Sequence, residues 1–195
     1  MDLCGHATLA TAHCLKTLLN YTQEELHFET LSGPLTVGMQ QGMYHLDFPS
    51  RMPVATELPE ILKNALNLLP AEVYKARDYV LVYNTEKEVK SIQIDRHIFD
   101  QINLDPGGMI VTSLGENTDF VSRFFTPQAA FLEDPVTGSA HCSLIPFWAK
   151  RLQKNELHAF QISARHGELF CQNKKDRVII SGKAKTYAVG TLWVD

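Results

Sequence analysis

Small and apolar residues with no charged face mark the first element of the chain. Ala7, Thr8, Leu9, Ala10, Thr11, Ala12, His13 and Cys14 follow Gly5 in a run that reaches about Leu19. The pattern predicts a helix, and a helix that is small or apolar all round is expected to be buried on every side. A second helix of the same kind follows Gly138 and reaches about Leu152. Pro146 lies inside it and is expected to kink it or to end its first segment. Residues 57–69 carry Leu58, Ile61, Leu62, Ala65, Leu66 and Leu69 along one face, which predicts an ordinary surface helix with Thr56 as its N-cap. The preceding Pro49-Ser50-Arg51-Met52-Pro53 reads as a linker. β-Branched and aromatic content between turn-rich flanks predicts strands at 79–84, 89–94, 109–114, 120–125, 177–181 and 184–189.

The two unusual helices belong to an internal repeat. Cys4-Gly5-His6-Ala7-Thr8 and its helix are followed by Phe28-Glu29-Thr30-Leu31-Ser32-Gly33-Pro34-Leu35. Thr137-Gly138-Ser139-Ala140-His141 and its helix are followed by Phe160-Gln161-Ile162-Ser163-Ala164-Arg165-His166-Gly167-Glu168-Leu169. Gly5 to Gly33 is 28 positions and Gly138 to Gly167 is 29. Each unit therefore reads as a small-residue turn, a helix, a strand, a Gly turn and a strand. Two related lobes are expected, each a curved sheet around a central helix: residues 1–50, then a linker helix and second lobe over 51–195. The second unit has roughly 60 residues ahead of its helix and the first has almost none, so the first lobe is expected to be N-terminally incomplete.

Composition narrows the function classes. Hydrophobic residues make up 45% and charged residues 21%, the balance of a globular domain with a real core. Lys plus Arg is 18 and Asp plus Glu is 22, for a net charge of -4, and no basic block occurs, so nucleic acid is not an expected partner. No apolar run approaches a bilayer span, and Met1-Asp2-Leu3-Cys4-Gly5-His6 is not the start of a signal peptide. Cys4, Cys14, Cys142 and Cys171 form no C-x-x-C pair, so a structural zinc is not expected. The reading is a cytoplasmic protein with four reduced thiols.

The chemistry concentrates at the helix starts. The first N–H groups of a helix lack internal partners, and with the helix dipole they favour an anion such as a carboxylate. Gly5 and Gly138 would let a ligand approach the backbone closely. Asp2, His6, Asp134, Ser139 and His141 are the polar candidates nearby. Asp134 precedes Pro135, which holds it on an extended or turn segment. Ser139 is a weak hydrolase nucleophile, since Gly138-Ser139-Ala140-His141 is not G-x-S-x-G. His13 reads as a core residue. No dinucleotide or nucleotide loop and no H-E-x-x-H occurs, and no cofactor is expected.

Leu3-Cys4-Gly5-His6-Ala7-Thr8-Leu9-Ala10 and Glu133-Asp134-Pro135-Val136-Thr137-Gly138-Ser139-Ala140-His141-Cys142 resemble the two signature motifs of the PhzF-like, or phenazine biosynthesis-like, family. Ser122-Arg123-Phe124-Phe125-Thr126-Pro127 and Gln161-Ile162-Ser163-Ala164-Arg165-His166-Gly167 support the resemblance. It implies an α+β, diaminopimelate-epimerase-like fold with the site in the cleft between two pseudo-symmetric lobes. It also implies an isomerase that moves a proton on a small carboxylic acid without cofactor or metal, in a protein that is often a homodimer. By position, His6 and Asp134 would orient or relay protons, and Ser139 would contact the ligand. Gly5, Gly138 and Ser139 would offer backbone donors to the substrate carboxylate. The family's general base is a glutamate upstream of the first motif, and a chain without it is expected to lose about 10² to 10⁴-fold in rate or more. His166 stands where the family usually has a second glycine, which implies a local change in a turn. Cys4 aligns with Thr137, so the two-thiol mechanism of the related racemases and epimerases is disfavoured. The alternatives are a non-catalytic binding or interaction protein and a two-base racemase.

Overall fold

The computed structural model describes residues 3–193. Its frame is one continuous sheet of twelve strands, folded around a helix at its centre. The first part of the chain runs α1 (Gly5–Thr17), β1 (Glu25–Thr30), β2 (Gly33–Gln40) and β3 (Met43–Pro49). It continues through β4 (Val54–Ala55), α2 (Glu60–Ala65), β5 (Glu72–Lys75), β6 (Tyr79–Val82), α3 (Glu86–Ser91) and α4 (Arg96–Phe99). Then come β7 (Met109–Leu114), β8 (Phe120–Phe125), β9 (Glu133–Asp134), α5 (Gly138–Leu152), β10 (Glu156–Gln161), β11 (Gly167–Lys174) and β12 (Arg177–Gly182).

The repeat read from the sequence is present as two helix–hairpin units. β1–β2 and β10–β11 are antiparallel pairs that follow α1 and α5. Their turns contain Gly33 at φ +89° and His166 at φ +57°. His166 thus takes the left-handed conformation that glycine adopts without steric cost. The two units join edge to edge, because β3 pairs antiparallel with β12 from Tyr44–Gly182 to Pro49–Arg177.

The two helices differ in their surroundings. In α5 every residue from Ser139 to Ala149 is buried. Its neighbours include β10, β11 and β12, and on β7 and β8 it meets Thr112, which accepts from Trp148 Nε1 at 3.0 Å, and Phe120, which stacks on Trp148. In α1 only Ala12 is buried, so the expectation of a helix enclosed on every side holds for α5 and not for α1 among the described residues.

Pro146 does not interrupt α5, contrary to the sequence reading. A proline leaves the carbonyl four residues earlier without its helical donor. That carbonyl, Cys142 O, instead accepts the Arg51 N–H at 2.8 Å. The missing helical bond is thereby replaced by a bond to the segment that leaves β3.

Strands β6, β7 and β8 are buried on both faces. Val80, Val82, Ile110, Phe120 and Phe124 join the core around α5, while Leu81, Met109, Val111, Val121 and Phe125 pack with α2, α3 and α4. This two-sided burial explains their nearly unbroken apolar runs.

Three other sequence expectations need correction. Residues 89–94 do not form a strand: Thr85 and Glu88 make a capping box that starts α3, and Val89 and Ile92 are buried at helical spacing. The helix expected over 57–69 is only α2, which starts after Pro59 with no side-chain cap and stops where Leu66 turns extended, so Thr56 is not its cap. Residues 184–189 form no strand, and Tyr187 is fully exposed. No helix among the described residues is long and apolar enough to cross a membrane.

Candidate active site

The N-termini of α1 and α5 meet. A Cβ built on Gly5 would stand 3.2 Å from the Gly138 Cα, and one built on Gly138 would stand 3.2 Å from the Gly5 Cα. Both would also press within 3.4 Å of Phe48 Cε2, a buried ring on β3. The two glycines therefore serve close approach of one helix start to the other, a role the sequence reading did not foresee. Cys4 and Thr137 occupy the equivalent N-cap positions, so one helix starts at a thiol and the other at a hydroxyl.

A cleft of about 640 Å³ opens where these helix starts meet. Its lining includes Gly5, His6, Asp134, Gly138 and Ser139, so the five residues that the family resemblance implicates lie in one place. Asp2 lies outside the described residues.

Short-range bonds fix the Asp134 segment. β9 pairs with β8, which sets Asp134 opposite Phe124. Asp134 Oδ2 accepts the Thr137 hydroxyl at 2.5 Å. Gln161, fully buried on β10, donates from Nε2 to the Asp134 carbonyl at 2.8 Å and accepts the Thr137 N–H at Oε1, also at 2.8 Å. The Ser163 hydroxyl holds the Pro135 carbonyl at 2.8 Å. Behind Asp134, Glu133 forms a two-pronged pair with Arg123 at 2.8 and 2.9 Å. The same guanidinium donates to the carbonyls of Val89 and Ile92 at the end of α3.

His141 was a polar candidate near the helix start, but it does not line the cleft. It is fully buried, and its Nδ1 meets the Thr137 carbonyl at 2.8 Å, so Nδ1 carries the proton and donates. Burial lowers its pKa to about 4, only partly opposed by that bond, and the ring is neutral at pH 7. His13 bridges Tyr44 at 3.0 Å and Thr186 at 2.9 Å, away from the cleft. On the cleft wall, His6 Nε2 lies 3.7 Å from Cys4 Sγ.

Several cleft residues were missed by the sequence reading. Arg77, in the turn between β5 and β6, donates from Nη1 to Ser139 Oγ at 3.2 Å. Residues 105–107 and 126–131 also line the cleft, with Phe131 largely exposed. Gln161 lay inside a quoted motif, but nothing in its spacing showed that it would bridge Asp134 and Thr137. Among the described residues, no group of three or more His, Cys, Asp or Glu side chains could hold a metal ion.

A mixed sheet around a buried helix, with two helix starts meeting at one cleft, defines an α+β protein of the diaminopimelate-epimerase-like class. A family model described as phenazine biosynthesis-like protein matches residues 1–190, and the chain belongs to that family. An uncharacterized isomerase of Pseudomonas aeruginosa is 45% identical over 193 residues, covering 98% of this chain and 73% of that protein. A crystal structure of a PhzF-family protein from Enterococcus faecalis superposes with a TM-score of 0.91 at 44% identity, covering 100% of this chain and 74% of the other. A probable proline racemase from Agrobacterium radiobacter K84, crystallised with carbonate, shares the fold at a TM-score of 0.58 and 10% identity. It covers 100% of this chain and 68% of the racemase. The names of these relatives support an isomerase-type function.

Proposed function

We propose that this protein is an isomerase that relocates a proton within a small carboxylate-bearing metabolite, in the cleft where α1 and α5 meet, without a cofactor. The observation that carries the reading is the gathering of His6, Asp134, Ser139 and two helix N-termini around one cleft. Neither helix has an acidic residue in its first turn, so nothing within the helices offsets the positive ends of their dipoles. The substrate carboxylate lies against the N–H groups of Gly5, Gly138 and Ser139. Loss of a carbon-bound proton conjugated to that carboxylate builds negative charge into it, and preorganised N–H donors stabilise this charge as it grows.

Asp134 and His6 orient the substrate and pass the proton. Asp134 suits this role because Thr137 and Gln161 fix its side chain and backbone while it still faces the cleft. The resemblance assigns the abstracting base to a glutamate ahead of the Leu3–Ala10 motif, so the residues described here supply binding, orientation and relay. The working protein is a cytoplasmic homodimer in this reading. Replacing Asp134 with Ala tests it: turnover should fall about 10² to 10⁴-fold with the circular dichroism spectrum unchanged. Near-normal turnover in that variant would remove Asp134 from the mechanism.

A further inference from the structure

We infer that Phe131 is the residue by which this cleft recognises the carbon body of its substrate, so that carboxylates with an apolar body are favoured over short ones. The inference rests on the proton-transfer reading above, in which the helix starts take the carboxylate, and adds the residue that selects the rest of the molecule.

Phe131 lies on the cleft wall with 82% of its surface exposed. Its neighbour Leu132 turns the other way and packs with the core shared by α2, α3 and α4. The loop that carries the ring is closed and pinned. The Thr126 N–H donates to the Leu132 carbonyl at 3.0 Å, which closes residues 126–132 at their base. Asp100, just past α4, accepts the Gln128 N–H on Oδ1 at 2.7 Å and pairs through Oδ2 with Arg96 Nε at 3.0 Å. Arg96 donates in turn from Nη2 to the Ala129 carbonyl at 2.5 Å. Bonds to α4 therefore set the shape of the loop, and the ring stands at the cleft on a fixed support.

The wall that this loop presents is apolar. Pro127, Ala129, Ala130 and Phe131 all line the cleft and carry no polar side-chain atom. The Gln128 amide is already engaged, since Nε2 donates to the carbonyls of Asp100 at 2.5 Å and Ile102 at 2.8 Å. One cleft thus holds both the polar helix starts and an uncharged wall. Its volume of about 640 Å³ exceeds what a carboxylate alone would fill and suits a whole small molecule. A ring exposed to water is stabilised when an apolar group covers it. Because the loop is pinned, little further order is lost when that group arrives. A carboxylate at the helix starts leaves its carbon body in the same cleft as the ring, and that body is the group that covers Phe131.

The test is an NMR titration, suited to weak binding, of acetate, hexanoate and hexanamide on the parent protein and on Phe131→Ala. The exposed position of Phe131 means that the variant should fold, with an unchanged circular dichroism spectrum. The parent should bind hexanoate more tightly than acetate. Phe131→Ala should weaken hexanoate by about 5 to 20-fold, the effect of uncovering roughly one face of a ring, and leave acetate unchanged. Unchanged hexanoate binding in Phe131→Ala, or an equal loss for acetate, would overturn the role of Phe131 while leaving the carboxylate reading in place. A parent that does not distinguish hexanoate from acetate would overturn the preference for an apolar body. Hexanoate binding no tighter than hexanamide would overturn the carboxylate reading itself, and the inference with it.

Discussion

Gln161 offers a way to perturb the site without touching the cleft. Its side chain is fully buried and does not line the cavity, yet it holds two backbone groups of the Asp134–Thr137 turn. Oε1 accepts the Thr137 N–H at 2.8 Å, and Nε2 donates to the Asp134 carbonyl at 2.8 Å. Gln161→Leu keeps nearly the same volume, so the cavity contribution is small. It leaves the buried Thr137 N–H and the part-buried Asp134 carbonyl without these partners, at up to about 1 to 3 kcal/mol each. The expected loss is therefore up to about 2 to 6 kcal/mol, a large share of a typical domain's total of roughly 5 to 15 kcal/mol. Urea unfolding of parent and variant measures it, with equal slopes required for the comparison. Turnover should fall as well, because Asp134 loses the bond that fixes its backbone. A loss below about 1 kcal/mol would refute the reasoning, since it would mean that water or a shift of the turn satisfies both groups.

Other consequences follow from the meeting of the helix starts and from the residue beneath them. Gly138→Ala forces a Cβ to within 3.2 Å of the Gly5 backbone, which can yield only by parting the helices. Thermal or urea unfolding should show a cost of about 1 to 3 kcal/mol. Gly182→Ala, where nothing lies within 4 Å, should stay within about 0.5 kcal/mol of the parent. His141 gives the stability a pH dependence. Its folded pKa of about 4 lies below the ordinary value of 6.5, so the unfolded chain binds the extra proton first. Its contribution is complete above pH 6.5 and is lost as pH falls toward 4, for a total of about 3 kcal/mol. Urea unfolding at pH 7 and pH 5 should show the decline, and His141→Gln should flatten it; an unchanged slope in that variant would assign the effect to other groups.

The sequence showed the site more fully than the fold. The two small-residue helices and their glycines were legible because they recur at fixed spacing in two parts of the chain, and the Asp-Pro turn because proline restricts the residue before it. The reason for the glycines was not, since only the assembled structure shows Gly5 resting on Gly138. Strands β7 and β8 were legible from their apolar runs. Residues 89–94 misled because Val89 and Ile92 suit a strand as well as a helix, and the Thr85–Glu88 capping box decides the matter. Residues 184–189 have strand-forming composition, but a strand needs an edge to pair with. Pro146 should break a helix by local rules, and only the distant Arg51 N–H shows how the vacated carbonyl is satisfied. Arg77 sits in a turn with no motif, and its link to Ser139 spans 62 residues of sequence.

The central claim is proton relocation at the cleft, and the most direct test is proton NMR in deuterium oxide with a small cyclic diene acid, the kind of substrate that the family resemblance implies. The account predicts that one deuterium enters the ring at the carbon to which the proton is returned, that the double bonds shift in step, and that Asp134→Ala stops both. Deuterium entering a carbon α to the carboxylate with inversion and no shift of the double bonds would contradict it in favour of racemisation.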